Sequence, residues 1–196
     1  MRVFKRAIFS LSFLVILLSS IGCKNTQTLF KEEGKDWVAG GNAAWEYSDG
    51  DLIGSVTNRE TGFAVTQKKY GNYILELDFK PDDYINSGVF IHCQDQKMSA
   101  ETCHEINIWD GRPNPDYRTG GIVNRAIPLA TIDTNNKWNR YKIRTENGRV
   151  QVWINDVLTV DIKNDTLQDG HILLQATGEG HAGDIRFKNI KLTPLK

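Results

Sequence analysis

The sequence predicts an all-β fold, a β-sandwich of two antiparallel sheets, on three observations. In residues 73–80, Tyr73, Leu75, Leu77 and Phe79 alternate with Ile74, Glu76, Asp78 and Lys80, and a period of two over that length marks a half-buried strand. Short apolar runs recur along the chain with turn signals between them. Past the first residues, no stretch carries apolar side chains at helical spacing for more than two turns. Many short strands separated by turns bury their apolar faces by packing two sheets together.

In chain order, Arg2, Lys5 and Arg6 precede an apolar run over 7–18 and small residues leading to Gly22-Cys23, the order of a secretory signal. The run is short for a membrane span, which takes about 20 apolar residues. Ser20-Ile21-Gly22-Cys23 resembles the bacterial lipobox, so residues 1–22 are expected to be removed and Cys23 to carry lipid. Lys24, where an aspartate would favour inner-membrane retention, points to the outer membrane of a bacterial envelope. Removing 1–22 deletes three basic and no acidic side chains from a chain with equal numbers of each. The remainder is slightly acidic and lacks the clustered basic surface that nucleic-acid binding requires. Residues 23–35, polar and without apolar period, read as the lipidated Cys and a flexible tether; residues 36–196 read as a single domain.

Strands are expected at 52–56, 63–66, 73–80, 88–93, 104–110, 121–123, 138–145, 150–154, 157–162, 172–175 and 184–193. Asn147-Gly148 and Asn155-Asp156 are hairpin turn signals, because a two-residue type I′ turn needs positive φ at both positions. The connection 111–132 is too long for a plain hairpin, and long connections in compact domains tend to be functional. In an exported protein disulfides persist, so Cys93 and Cys103, bracketing a polar loop, are expected to pair. Closing so small a loop constrains the unfolded chain by roughly 2–3 kcal/mol. His92, Cys93, Cys103 and His104 offer zinc-ligand types, but not the spacing of a structural zinc site.

The chemistry concentrates on 104–110. Alternation puts Glu105, Asn107 and Trp109 on one face and Ile106 and Ile108 on the other. A carboxylate for acid-base work, an amide for hydroxyls and an aromatic ring for a pyranose face make a plausible sugar site, with a plain solvent-facing strand as the bland alternative. A regular ladder from a Cys93–Cys103 pair would turn His92 and His104 away from Glu105, whereas a bulge would change that parity, so spacing leaves the facing of His92 open. Arg118, Asn124 and Arg125 in the long loop are candidates to clamp a hydroxyl-rich ligand. Gln175 closes an apolar strand, His181 sits in a Gly-rich loop, Asp110 ends the strand of Glu105, and Lys68 is a weaker candidate in a polar connection.

Tyr70-Gly71-Asn72-Tyr73, Asn86-Ser87-Gly88-Val89-Phe90, Glu105-Ile106-Asn107, Thr119-Gly120-Gly121-Ile122, Trp138-Asn139-Arg140-Tyr141, Val152-Trp153-Ile154-Asn155-Asp156, Leu174-Gln175 and Ile185-Arg186-Phe187-Lys188-Asn189-Ile190 occur in the order found in the 3-keto-disaccharide hydrolase-like domain of bacterial lipoproteins. The chain resembles that family from about residue 37 to residue 195. The resemblance implies a concanavalin A-like jelly roll with a carbohydrate ligand on the concave sheet. It departs from the family at His92, often arginine there, at Asn107, commonly glutamine, and after Leu174-Gln175, where His-Gly is usual.

The chemistry implied is cleavage of glycosides already oxidised at C3. The ketone acidifies the C2 proton, a base removes it, and the C1 substituent leaves by β-elimination, with or without later addition of water. Such a reaction needs a base, an electropositive partner for the enolate and an acid. Glu105 is the expected base and His92 the expected enolate partner or acid; Asn107, Trp109, Asp110, Arg125, Gln175 and Lys68 are expected to bind substrate. No cofactor is assigned. A divalent cation is an alternative source of enolate stabilisation, though no oxygen-rich cage stands out. Two other functions are open: a non-catalytic carbohydrate-binding lipoprotein, and a degenerate laminarinase-like endoglycosidase built on Glu105, Asn107 and Asp110.

Overall fold

A computed structural model describes residues 25–163 and 166–196; the expected signal segment and Cys23 lie outside the described residues. The strands follow in the order β1 (Gln27–Thr28), β2 (Trp37–Gly41), β3 (Ala44–Ser48), β4 (Asp51–Val56), β5 (Thr61–Thr66), β6 (Tyr73–Pro81), β7 (Ile85–Cys93), β8 (His104–Ile108), β9 (Asn139–Glu146), β10 (Arg149–Ile154), β11 (Val157–Lys163), β12 (His171–Gly178) and β13 (Gly183–Pro194). A 3-10 turn, Pro115–Tyr117, interrupts the long connection after β8.

Two antiparallel sheets result. The larger runs β11-β10-β9-β6-β13-β4-β3, with β1 on β13, and the smaller runs β2-β5-β12-β7-β8. The alternation in β6 does what it predicts: Tyr73, Leu75, Leu77 and Phe79 are fully buried. They face Ala64, Val89, Ile91, Ile106, Ile108, Ile172, Leu174 and Ala176 of the smaller sheet in one core. Both hairpin turns have the backbone their residues favour, with φ of 50° and 76° at Asn147 and Gly148 and of 49° and 67° at Asn155 and Asp156.

Three sequence expectations change. Residues 23–35 are not all tether: Gln27 and Thr28 pair with Leu192 and Lys191, and Leu29 and Phe30 enter the core. Two apolar residues in a polar stretch show no period, so the pattern hides them. β2, with Ala39, Gly40 and Gly41, and the short β3, both largely exposed, are likewise absent from the expected strands. Residues 121–123 form only bridges, Ile122 meeting Ile106 and Ala126.

The fourth change bears on function. β7 and β12 shift register between Leu173 and His171, and His92 takes φ of 56°. This bulge leaves His92 and Ile91 both inward, then returns Cys93 to the outer face, where it forms the expected disulfide with Cys103. His92 is fully buried. Its Nε2 lies 3.0 Å from Thr145 Oγ1, and its ring meets those of Tyr73 and His104 edge-on. Glu105 is on the opposite face of the sheet, so His92 does not join it in a site.

Burial pushes the His92 imidazolium down to about 4, only partly opposed by nearby backbone and by Asp169. The folded state thus holds His92 neutral, and its contribution is complete above the ordinary pKa near 6.5 and is lost as pH falls toward 4. Asparagine tolerates the left-handed backbone. His92→Asn is therefore expected to cost roughly 1–2 kcal/mol at pH 7 through the lost Thr145 contact. It should also flatten the decline in stability between pH 6.5 and 5, which denaturant titrations of both proteins across that window will show.

Candidate active site

The site is built on the outer face of the smaller sheet. Across this face, register pairs Phe90 with Glu105 and Gly88 with Asn107, Leu173 with Phe90 and Gln175 with Gly88, and Phe63 with Gln175. Phe90, Leu173, Val65, Cys93 and Cys103 form a cluster separate from the main core, which confirms that this side faces away from the larger sheet. Met98, in the loop spanned by the disulfide, packs on the cluster.

β8 would be an open edge if the long connection did not return along it. Val123 N donates to Glu105 O, Asn107 N to Gly121 O, and Gly120 N to Asn107 O, each at 3.0 Å. Tyr141 Oη, from the core side, donates to Asn107 O at 2.6 Å and accepts from Gly120 N at 3.1 Å. Trp109 N donates to Thr119 Oγ1 at 2.8 Å. The returning chain thus walls Glu105 on its open side.

Glu105 is 8 % exposed. Burial raises its carboxyl to about 7, and the charge of Arg112 only partly offsets this. Arg112 stands with its guanidinium carbon 5.6 Å from the ring centre of Trp109, and Arg118 Nε donates to Arg112 O. Arg112 thus covers Trp109 and acts electrostatically on Glu105. Beside it, Gln175 Oε1 and Asn86 Oδ1 are buried without a hydrogen-bond partner among the described residues. Gln175 Nε2 is held by Thr177 Oγ1 at 3.1 Å and Asn86 Nδ2 by Glu179 at 2.7 Å, which fixes each carbonyl oxygen as the free end. Gly88 lies between Gln175 and Asn107, and a Cβ there would stand 3.2 Å from Gln175 Oε1.

Of the residues expected from sequence, Glu105, Trp109 and Gln175 come together on this face. Asn107 shares it and is fully buried; its Nδ2, tied to Tyr117 O at 2.6 Å, fastens the returning loop, while its Oδ1, like the oxygens of Gln175 and Asn86, has no hydrogen-bond partner among the described residues. Asp110 turns away: its oxygens accept from Thr134 N and Oγ1 at 2.6 and 2.9 Å. It lines a separate cavity of about 190 Å³ with Arg118, Thr119 and Asp133. Arg125 is committed to Ala100 O at 2.7 Å, bracing the disulfide loop. Lys68 is exposed, beyond the end of β5, in a surface depression with Lys31, Lys35 and Asp36. His181, exposed, stacks its ring on Tyr84. Sequence reasoning passed over Arg112, Asn86, Gly88 and Phe63. The alternation of β5 carried a signal for Phe63, but Arg112 sits in a loop with no period to read. Among the described residues no three His, Cys, Asp or Glu side chains gather as a metal-binding group.

A family model described as the 3-keto-alpha-glucoside-1,2-lyase-like domain matches residues 25–193. The chain belongs to this family. Its fold also matches solved structures. The chain resembles a proposed glycosyl hydrolase from Parabacteroides distasonis at 24 % identity and a TM-score of 0.74, with 87 % of this chain and 99 % of that one covered. It resembles the β-glucanase of Bacillus licheniformis at 14 % identity and 0.61, covering 87 % and 97 %. It also resembles the carbohydrate-binding module CBM66 from Bacillus subtilis at 15 % and 0.58, covering 80 % and 94 %. These likenesses establish the jelly-roll fold. No curated protein matches the chain in sequence. The family places the chain among glycoside hydrolase-like, carbohydrate-directed proteins.

The buried carboxyl of Glu105 favours its neutral form, so its contribution to folding is complete below about pH 4.5 and is lost as pH rises through about 7. Glu105→Gln is expected to leave stability nearly unchanged at pH 4.5 and to raise it at pH 8 by on the order of 2 kcal/mol. Unfolding midpoints of the two proteins at both pH values measure this.

Proposed function

We propose that this protein cleaves 3-keto glycosides by proton abstraction at C2, with Glu105 as the base. The observation that supports this best is a carboxyl buried on the outer face of the smaller sheet and raised to about 7, with the charge of Arg112 acting on it. A general base works best when its pKa lies near the operating pH. The carboxylate takes the C2 proton, the C2–H electrons form the C2–C3 double bond, and the ketone oxygen becomes the enolate oxygen. Arg112 is the electropositive group for that oxygen, in place of His92. When the enolate reforms the ketone, the electrons expel the C1 oxygen substituent. That oxygen receives the proton Glu105 holds, which regenerates the carboxylate.

Gln175 and Asn86 supply acceptors for sugar hydroxyls, since a buried carbonyl left without a donor costs roughly 1–3 kcal/mol. Trp109 offers an apolar face to the ring. On this reading the protein works in the bacterial envelope, anchored through lipid on Cys23, and is not a nucleic-acid partner.

Incubating the purified protein with a 3-keto disaccharide and its parent sugar side by side tests the reading. Glu105→Gln is expected to lower kcat on the keto sugar by about 10²–10⁴-fold while leaving its binding nearly intact. In the wild type kcat should rise with pH through about 7, as Glu105 ionises. Binding of both sugars with turnover of neither would make the protein a lectin, and depolymerisation of an unoxidised β-glucan would make it an endoglycosidase.

A further inference from the structure

Glu105 is bounded by two loops that reach it from different directions. Cys103, two residues back along the chain, is bonded to Cys93, and Phe90 stands across the ladder. The loop between the cysteines folds over this side, with Met98 packed on the cluster of Phe90, Leu173 and the disulfide. On the open edge runs the returning chain, where Val123 N donates to Glu105 O. Two residues on, Arg125 joins these walls. Its Nη1 donates to Ala100 O at 2.7 Å and its Nη2 to Glu101 O at 3.5 Å, both in the disulfide loop. Arg125 projects from a fixed base, since Ile122 O accepts from both Arg125 N and Ala126 N, and Ile122 N donates to Ala126 O. A planar guanidinium that holds two successive carbonyls from a tight turn is a clamp, and it joins the two segments that flank Glu105.

Resting on the reading of Glu105 as the base, we propose that Arg125 is a positioning residue for it. By tying the disulfide loop to the returning chain, Arg125 keeps water from the carboxyl, and it acts through that closure rather than by its own charge. The charged groups of the two walls are Asp95, Lys97 and Glu101 on the disulfide loop and Arg112, Arg118 and Arg125 on the long connection, while β7 presents Phe90. The charge that acts on Glu105 is that of Arg112, and burial outweighs it. Burial disfavours the ionised form, so admitting water lowers the carboxyl toward its ordinary range, whereas losing a nearby positive charge raises it. A clamp and a direct charge at Arg125 therefore have opposite signs.

The test follows the ionisation of Glu105 by NMR in protein carrying carbon-13 at its glutamate side chains, with the signal assigned through Glu105→Gln. The pH dependence of kcat on a 3-keto disaccharide is measured beside it. In the wild type both midpoints are expected at about 7. Arg125→Met keeps a long stem and removes the donors. It is expected to lower both midpoints by about one pH unit or more, with KM changed less than about twofold. A brace with no bearing on Glu105 would leave the midpoints in place, so an unchanged NMR midpoint overturns the proposal, and a raised one overturns it in favour of direct charge. If Arg125→Met does not fold, Met98→Ala, which frees the same loop from its other seat without altering a charge, decides in its place: a lowered midpoint upholds the closure and an unchanged one ends it. If the wild type turns over no keto sugar, the reading of Glu105 as the base fails separately, and the NMR midpoint still decides whether Arg125 closes the wall.

Discussion

An edge strand with both faces covered cannot leave its outer backbone groups unpaired, and β8 is such a strand: His104 to Ile108 are all buried. Unsatisfied buried amides and carbonyls are costly, and open edges invite pairing with other chains. Here the long connection closes the edge through the bonds of Gly120, Gly121 and Val123 to Asn107 and Glu105. Tyr141 ties the same Asn107 carbonyl to the core, Asn107 Nδ2 holds Tyr117, and Asp110 holds Thr134. Arg112 lies inside the span so pinned. The guanidinium reaches the neighbourhood of Glu105 because the edge must be satisfied, and a loop free of that duty would not hold a charge in one place.

The same closure removes water from Glu105. Its burial costs stability whenever the carboxyl ionises, and the fold accepts this in one of the few places where burial raises a carboxyl toward neutral pH. Elsewhere its ionic groups are solvated and paired, as Arg149 with Asp161 and Lys137 with Asp133, where such pairs contribute little. A residue that opposes folding in its ionised form yet is enclosed by several converging bonds marks a site where local stability yields to function.

Much of this frame was legible in the sequence. Alternation located β6, Asn-Gly located the β9–β10 turn, and two cysteines bracketing a polar loop, in a chain read as exported, located the disulfide. Glu105 and Trp109 followed from alternation along 104–110, and Gln175 from its place closing an apolar run. His92 was not legible, because one residue in the left-handed region reverses parity and nothing in Ile91-His92-Cys93 announces it. Asp110 was not legible because its direction is set by Thr134, twenty-odd positions on, and the tie of Asn107 to the loop was not because its partner is a backbone carbonyl. The N-terminal strap failed for a related reason: Leu29 and Phe30 pack through tertiary contact, with no period to reveal them.

A jelly roll that matches both a glucanase and a carbohydrate-binding module does not decide between their activities, and the proposal made for this chain rests on the placement of its carboxylates. A retaining glycosidase needs two carboxyl groups about 5–5.5 Å apart facing one bond. On this strand the middle position is Asn107, whose amide serves the loop, and Asp110 points into another cavity with both oxygens engaged by Thr134. Glu105 is left as the single carboxyl of β8 on the outer face, with the charge of Arg112 acting on it. Neither Asn107 nor Asp110 is thus placed as the second acid of a double displacement. The proposed removal of a proton next to a ketone requires one base and one positive charge, and it rests on Glu105 with the charge of Arg112 in electrostatic reach.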